Sequence, residues 1–262
     1  MKTFCFTIDD NIRFLKELSE EKPNSLFDHP YPAMLRRLHE KFGIKIQLNL
    51  FYRMADFDLS MATDRYQSEW QENADWLKLS FHSDRENSFP YQNSPYDEVF
   101  RDCRAVHNEI LRFAVPASLA ETTTVHYCQT TPEGTRALAD NGVKGLLGLF
   151  GTNEKPSTSY SLDERKASEI RNGKILILDG MAYAAIDMVI NSVKLDAITP
   201  TLTPLLSRET LRVMIHEQYF YQDYKAYQSD FEEKLITVFS LLAQNNYQSR
   251  FFEEYNTFGQ TA

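Results

Sequence analysis

The 262-residue sequence predicts an α/β fold on a parallel sheet, and three observations point to it. Short β-type runs alternate with amphipathic helical ones, the pattern of strand–helix–strand units. The runs number seven, a barrel-like count, and the side chains able to do chemistry gather where the runs end, as they do in parallel α/β proteins. With 42% hydrophobic residues the chain is long enough for one large core, so residues 1–262 are expected to form a single domain.

The first β-type run is Thr3 to Ile8, followed by Ile44 to Leu50, Leu77 to Phe81, Thr122 to Tyr127, Val143 to Phe150, Lys174 to Leu178 and Leu211 to Ile215. Helices are expected over Asn11 to Leu18, Tyr31 to Lys41, Thr63 to Asp75, Pro95 to Ala114, Pro132 to Asp140 and Ser229 to Gln244. In the fourth, Val99, Val106, Ile110 and Leu111 recur at helical intervals behind the start signal Ser94-Pro95. Asn141-Gly142 is a helix stop. Residues 152–172 turn polar around Lys155-Pro156-Ser157-Thr158-Ser159 and read as a loop excursion, and Pro200 and Pro204 mark a second irregular stretch. No internal repeat or domain-separating linker is visible.

Composition excludes several functions. The net charge of −9 is spread without basic clusters, which argues against nucleic acid or an anionic membrane surface as partner. No apolar stretch is long enough to span a bilayer, and Met1-Lys2-Thr3-Phe4-Cys5-Phe6 runs into a strand instead of a signal sequence, so a cytoplasmic protein is expected. Cys5, Cys103 and Cys128 are odd in number, lack CxxC spacing and read as reduced, buried thiols.

Strand one ends on Asp9-Asp10, two adjacent carboxylates whose repulsion and desolvation need a use, such as metal binding or proton transfer. An N-cap for the helix starting near Asn11 is the plainer use of Asp10. Strand three runs into His82-Ser83-Asp84-Arg85-Glu86, strand four ends on His126-Tyr127, and the last strand on His216-Glu217. His29, His39 and His107 fall in loop or helical contexts and read as structural or surface groups. Asp, His and a nearby Glu provide the mixed oxygen and nitrogen ligands that suit zinc, cobalt, manganese or iron. Tyr52, Trp70, Tyr91, Tyr219 and Tyr221 lie near expected loops, where aromatic rings stack on sugars.

These residues resemble a family. Thr7-Ile8-Asp9-Asp10 is similar to the T-F-D-D motif of polysaccharide deacetylases with a NodB-type domain, His82-Ser83 opens like their H-[ST]-x-x-H motif, and Val213-Met214-Ile215-His216 is similar to their L-x-L-H motif. The order and strand-end placement of all three agree over nearly the whole chain. The resemblance implies a distorted (β/α) barrel of about seven parallel strands. It also implies a divalent ion, zinc first, bound by Asp10 and His82, with Asp9 as general base and His216 as proton donor to the leaving amine. The reaction implied is metal-assisted removal of an acyl group from an amino sugar or related carbohydrate, a hydrolysis of a C–N bond other than a peptide bond.

The sequence departs from the family at three places. Glu86 stands where the second motif has its second His; a carboxylate binds the same class of metal, so Asp10, His82 and Glu86 form a chemically sensible ligand set, although Glu86 also reads as a solvated loop acid. Thr124-Val125-His126-Tyr127-Cys128 replaces the family's Arg- and Pro-containing motif; His126 is a substitute ligand, an orienting group for the base or a strand cap, and the oxyanion donor would sit near Tyr127. Only Asp179-Gly180-Met181 stands in place of the Asp-Trp motif. Two other readings stay open: a degenerate domain of the same fold that binds carbohydrate or protein without turnover, and a glycoside hydrolase using carboxylates such as Asp9 and Glu217.

Overall fold

A computed structural model describes residues 1–87, 89–151 and 159–255. The strands are β1 (Thr3–Asn11), β2 (Ile46–Phe51), β3 (Arg53–Met54), β4 (Phe57–Asp58), β5 (Leu77–Ser83), β6 (Thr122–Thr123), β7 (Gly145–Gly148), β8 (Leu176–Leu178), β9 (Met181–Ala185), β10 (Met188–Val189), β11 (Thr210–His216) and β12 (Gln248–Ser249). The α-helices are α1 (Arg13–Glu21), α2 (Pro30–Phe42), α3 (Gln67–Glu72), α4 (Tyr96–Phe113), α5 (Pro132–Asp140), α6 (Glu164–Arg171), α7 (Ile198–Leu202) and α8 (Phe231–Gln244).

One sheet has the order β10-β11-β1-β2-β5, with β12 also pairing β1, and a second has the order β6-β7-β9-β8. Pairing within both is parallel except for β8 with β9. The sheets meet along both edges. On one side Ala120 N–H donates to Leu79 O (2.9 Å) and Ser80 Oγ to Thr122 O (2.7 Å). On the other, Ile186 N–H donates to Gly148 O and Asp187 N–H to Arg212 O, each at 2.8 Å. Among the described residues the ladders do not run continuously around, so the α/β fold is a distorted barrel. Helices pack outside it: Phe239 of α8 lies 5.0 Å, edge-on, from Phe6 of β1, and Val99, Val106 and Ile110 of α4 are buried. Among the described residues no helix is long and apolar enough to cross a membrane.

Three elements differ from the sequence expectation. Lys174 to Leu178 is not a parallel barrel strand; Leu176–Leu178 runs antiparallel to Met181–Ala185 across an Asp179-Gly180 turn with φ of 50° and 81°, the geometry Asp-Gly favours in hairpins. The barrel position belongs to β9, whose sequence Met-Ala-Tyr-Ala-Ala carries little strand propensity. Thr122 to Tyr127 stops being a strand after Thr123, and a 3-10 turn over His126–Cys128 succeeds it, with Tyr127 and Cys128 at positive φ. In the polar excursion, residues 152–158 lie outside the described residues, and residues 159–172 contain α6, capped by Asp163.

Candidate active site

The carboxylate pair is held by a bulge. Beside β11, Asp9 stays in register with His216, but beside β2 the register slips between Ile8 and Asn11. Asp10 takes up the extra residue at φ 62°, a left-handed conformation that costs a non-glycine residue about 1–2 kcal/mol. In a regular strand adjacent side chains point to opposite faces; here Asp9 and Asp10 both line one cleft. The Asn11 amide braces the distortion, donating to Ile8 O (2.5 Å) and Asn49 O (3.2 Å) and accepting from Tyr31 OH (2.9 Å).

Asp10 is no N-cap. Helix α1 starts at Arg13 without a side-chain cap from Ile12. Glu217 supplies it from across the fold: its carboxylate accepts from Ile12 N (2.8 Å), Arg13 N (3.2 Å), Phe14 N (2.8 Å) and Tyr221 OH (2.8 Å). Burial raises Glu217 to about 7 against these four donors. Both of its oxygens are engaged in structure, which removes it as a catalytic carboxylate for glycoside hydrolysis.

Asp10 Oδ1 lies 3.0 Å from His82 Nε2 and 3.3 Å from His126 Nδ1, and the two ring nitrogens are 3.0 Å apart. His82 Nδ1 donates to the Thr124 carbonyl at 2.5 Å, so its proton sits there and Nε2 presents a lone pair to Asp10. Burial pushes Asp10 upward, but His126, His82 and His216 beside it outweigh burial and hold the carboxyl well below its usual range. Burial holds His82 below its ordinary value. An ionised carboxylate and a neutral imidazole are the protonation states a metal requires. Ligands of a tetrahedral ion at about 2.0–2.1 Å stand about 3.3 Å apart, and the observed triangle fits that spacing. Gln218 Nε2 donates to Asp10 Oδ2 at 2.5 Å and sets the carboxylate plane.

Asp9 is buried and accepts from Asn49 Nδ2 at 2.6 Å. Burial, with the Asp10 charge adding, keeps its carboxyl well above the ordinary range against that hydrogen bond. Asn49 belongs to a polar seam inside the barrel, where Gln47 Nε2 donates to Asn49 Oδ1 (2.7 Å) and Thr122 Oγ1 donates to Gln47 Oε1 (2.9 Å). His216 donates Nδ1–H to Asn191 Oδ1 (2.9 Å), leaving Nε2 as its second proton site. Burial lowers its pKa, with Asp10 pulling the other way.

The structure therefore brings Asp9, Asp10, His82, His126 and His216 to one cleft of about 300 Å³. Glu86 lines the same cleft but is exposed and stands outside the Asp10–His82–His126 group; His126 takes the third corner. Tyr127 sits on the rim, 47% exposed, its ring 4.4 Å from that of His126 and 4.9 Å from that of Phe89. Asp179 is held in the β8–β9 turn. Trp70 and Tyr91 are buried and cannot stack on a ligand, whereas Tyr219 lines the cleft. His29 caps α2, His39 stacks on Trp76 at 4.3 Å, and His107 is buried against Cys103. Sequence reasoning missed Asn49, Asn191 and Gln218. The amides at alternate positions of the apolar strand Ile46–Phe51 were the available signal for Asn49, and Gln218 comes directly after the strand-end pair His216-Glu217.

No family model and no curated protein matches the chain. Among solved structures it is similar to the 4-alpha-glucanotransferase from Thermococcus litoralis, with a TM-score of 0.61 and 12% identity over 97% of this chain and 40% of that one. The chain thus spans less than half of that enzyme. It is similar to a peptidoglycan N-acetylglucosamine deacetylase solved with a naphthalenyl N-oxidanyl-benzamide, with a TM-score of 0.51 and 10% identity over 95% of this chain and 85% of that one. A CE4 family pseudoenzyme from Bacillus anthracis gives a TM-score of 0.50 and 11% identity over 95% of this chain and 63% of that one. At these identities the likeness is one of architecture: the chain has the distorted α/β barrel fold of the CE4 deacetylases, as its motifs imply.

Proposed function

We propose that the chain is a metal-dependent hydrolase that removes an acyl group, an acetyl first, from an amino sugar or related carbohydrate, with Asp10, His82 and His126 as the metal ligands. One observation carries this reading: the Asp10 carboxylate and Nε2 of His82 face each other at 3.0 Å, with His126 Nδ1 within 3.3 Å of both. Buried lone pairs so close repel unless a proton or a metal cation lies between them.

A divalent ion held there would polarise an acyl carbonyl, lower the pKa of water and favour the ionised form of Asp9. Asp9, oriented by Asn49, then accepts the proton of the attacking water. His216 is fixed by Asn191 through Nδ1 and carries a proton on Nε2 to the leaving amine. Burial lowers its pKa, which makes its protonated form a stronger acid, the property a poor leaving group needs. His82 is oriented by the Thr124 carbonyl and Asp10 by Gln218, so the ligand side chains are supported from behind.

The test is acetate release from N-acetylated glucosamine oligomers with zinc or cobalt added to metal-stripped protein. The expected result is metal-dependent turnover that Asp10→Ala abolishes. Turnover unchanged by chelator and by Asp10→Ala would overturn the reading.

A further inference from the structure

The cleft continues outward into a second lobe that the proposed chemistry leaves unused. This outer lobe has a volume of about 470 Å³ and shares Asp10, Glu86, Gln218 and Tyr224 with the inner one as a common wall. Three guanidinium groups line it, those of Arg13, Arg53 and Arg85. In a chain of net charge −9, that concentration of arginine beside a candidate reaction centre calls for a ligand.

The three are not equivalent. Arg13 is held by two carboxylates, donating Nε to Glu17 (2.8 Å) and Nη1 to Asp223 (2.6 Å), and it lies over the Tyr221 ring at 3.9 Å. Arg53 and Arg85 share one. Arg53 gives Nε and Nη2 to Asp84 Oδ1 (2.9 and 2.6 Å), and Arg85 gives only Nε to Asp84 Oδ2 (2.9 Å). Two cations on one carboxylate leave the Arg53–Asp84–Arg85 cluster with one positive charge in excess. The other carboxylates around it are committed differently: Glu217 caps α1 and Asp10 faces the histidines. Glu86 stands on the wall between the lobes, exposed, where it can accept from the hydroxyls of a sugar lying across both.

We propose that the outer lobe binds an oxyanion, a phosphoryl or carboxylate group, borne by the same acylated sugar whose acyl group enters the inner lobe, with Arg53 and Arg85 as its donors. The inference rests on the hydrolase reading for the acyl group and adds the class of substrate: an anionic acylated sugar in preference to a neutral one. Guanidinium forks match the paired oxygens of either anion, and charge-assisted hydrogen bonds are the stronger kind.

Calorimetry on the zinc-loaded protein tests this with N-acetylglucosamine 1-phosphate, N-acetylglucosamine and the corresponding N-acetylated uronic acid as probes. The phosphorylated or the carboxylated sugar, whichever source the lobe selects, is expected to bind at least about tenfold more tightly than the neutral one. The preference should fall toward unity in R53Q/R85Q and be only partly restored by R53K/R85K, which keeps the charge and loses the fork. Equal binding of charged and neutral sugars, or a preference that survives R53Q/R85Q, overturns the proposal. Because the readout is binding, it is separable from turnover. Acetate release at equal kcat/KM from charged and neutral sugars sinks the anion site alone. An arginine-dependent preference in a protein that shows no metal-dependent hydrolysis sinks the hydrolase reading and leaves the anion site standing.

Discussion

Replacing His126 by alanine, with Glu86→Ala beside it, separates the two possible third ligands. An ion that binds only the folded protein stabilises it by RT ln(1 + [L]/Kd), about 2.7 kcal/mol at a hundredfold excess over Kd. Unfolding entropy of ~2.1 cal/mol/K per residue gives ~0.55 kcal/mol/K for 262 residues, so zinc should raise the Tm by about 5 °C. His126 Nδ1 is 3.0 Å from His82 Nε2 and 3.3 Å from Asp10 Oδ1, so its removal takes away one corner of the triangle and should abolish the rise at the same zinc concentration. Glu86 is exposed and outside that group, so Glu86→Ala should keep the full rise. Thermal melts of chelator-treated protein, with and without zinc, give the answer. No shift in the wild type refutes the metal centre. A shift lost in Glu86→Ala but kept in His126→Ala refutes this assignment of ligands.

Asp9→Asn keeps the acceptor for Asn49 and removes the base, so acetate release should fall about 10²–10⁴-fold while the zinc-induced Tm rise persists; unchanged turnover would exclude Asp9 from proton transfer. Glu217→Ala leaves three backbone N–H groups at the start of α1 without their acceptor and should cost roughly 3–5 kcal/mol in urea unfolding, a loss under 1 kcal/mol contradicting the capping role. Asp187 is buried between Arg212 and Arg208 and accepts from Arg212 N at 2.8 Å; Asp187→Ala strands a buried guanidinium and should cost about 3–5 kcal/mol by the same measurement. Burial lowers His107 from 6.5 to about 4, so between those values the unfolded chain binds more protons than the folded one. The stability this group contributes is present above pH 6.5 and is lost as pH falls toward 4, by about 3 kcal/mol at 1.36 kcal/mol per unit. Urea titrations across that range should show the loss in the wild type and a correspondingly smaller one in His107→Gln; identical pH slopes would refute the assignment.

The strand ends that carry the site were legible because each is an apolar run stopping at a polar residue, and the backbone places such ends side by side. Asp9 and His216 are register partners on β1 and β11, and His82 is the last residue but one of β5. What was not legible depends on departures from regular backbone. The family resemblance put Glu86 in the place of the third ligand, four residues after His82. The strand instead ends at Ser83 and leaves Glu86 exposed on the cleft wall, outside the Asp10–His82 pair, while the two-residue strand β6 breaks into a turn that brings His126 to His82. No hydrophobic period encodes that break. It is specified by long-range hydrogen bonds, such as His82 Nδ1–H to the Thr124 carbonyl, that form only once β5 and β6 adjoin.

The bulge at Asp10 shows the same dependence in the other direction. A capping residue before Arg13 would allow β1 to end regularly, with Asp10 facing away from Asp9. Because Glu217 caps α1 from β11's far end, Asp10 is released from that task and turned toward His82 and His126. The arrangement proposed for Asp9-Asp10 therefore depends on Glu217 holding the start of α1. From this coupling Glu217→Ala is expected to weaken zinc binding as well as the fold, although Glu217 is hydrogen-bonded to none of the three proposed ligands.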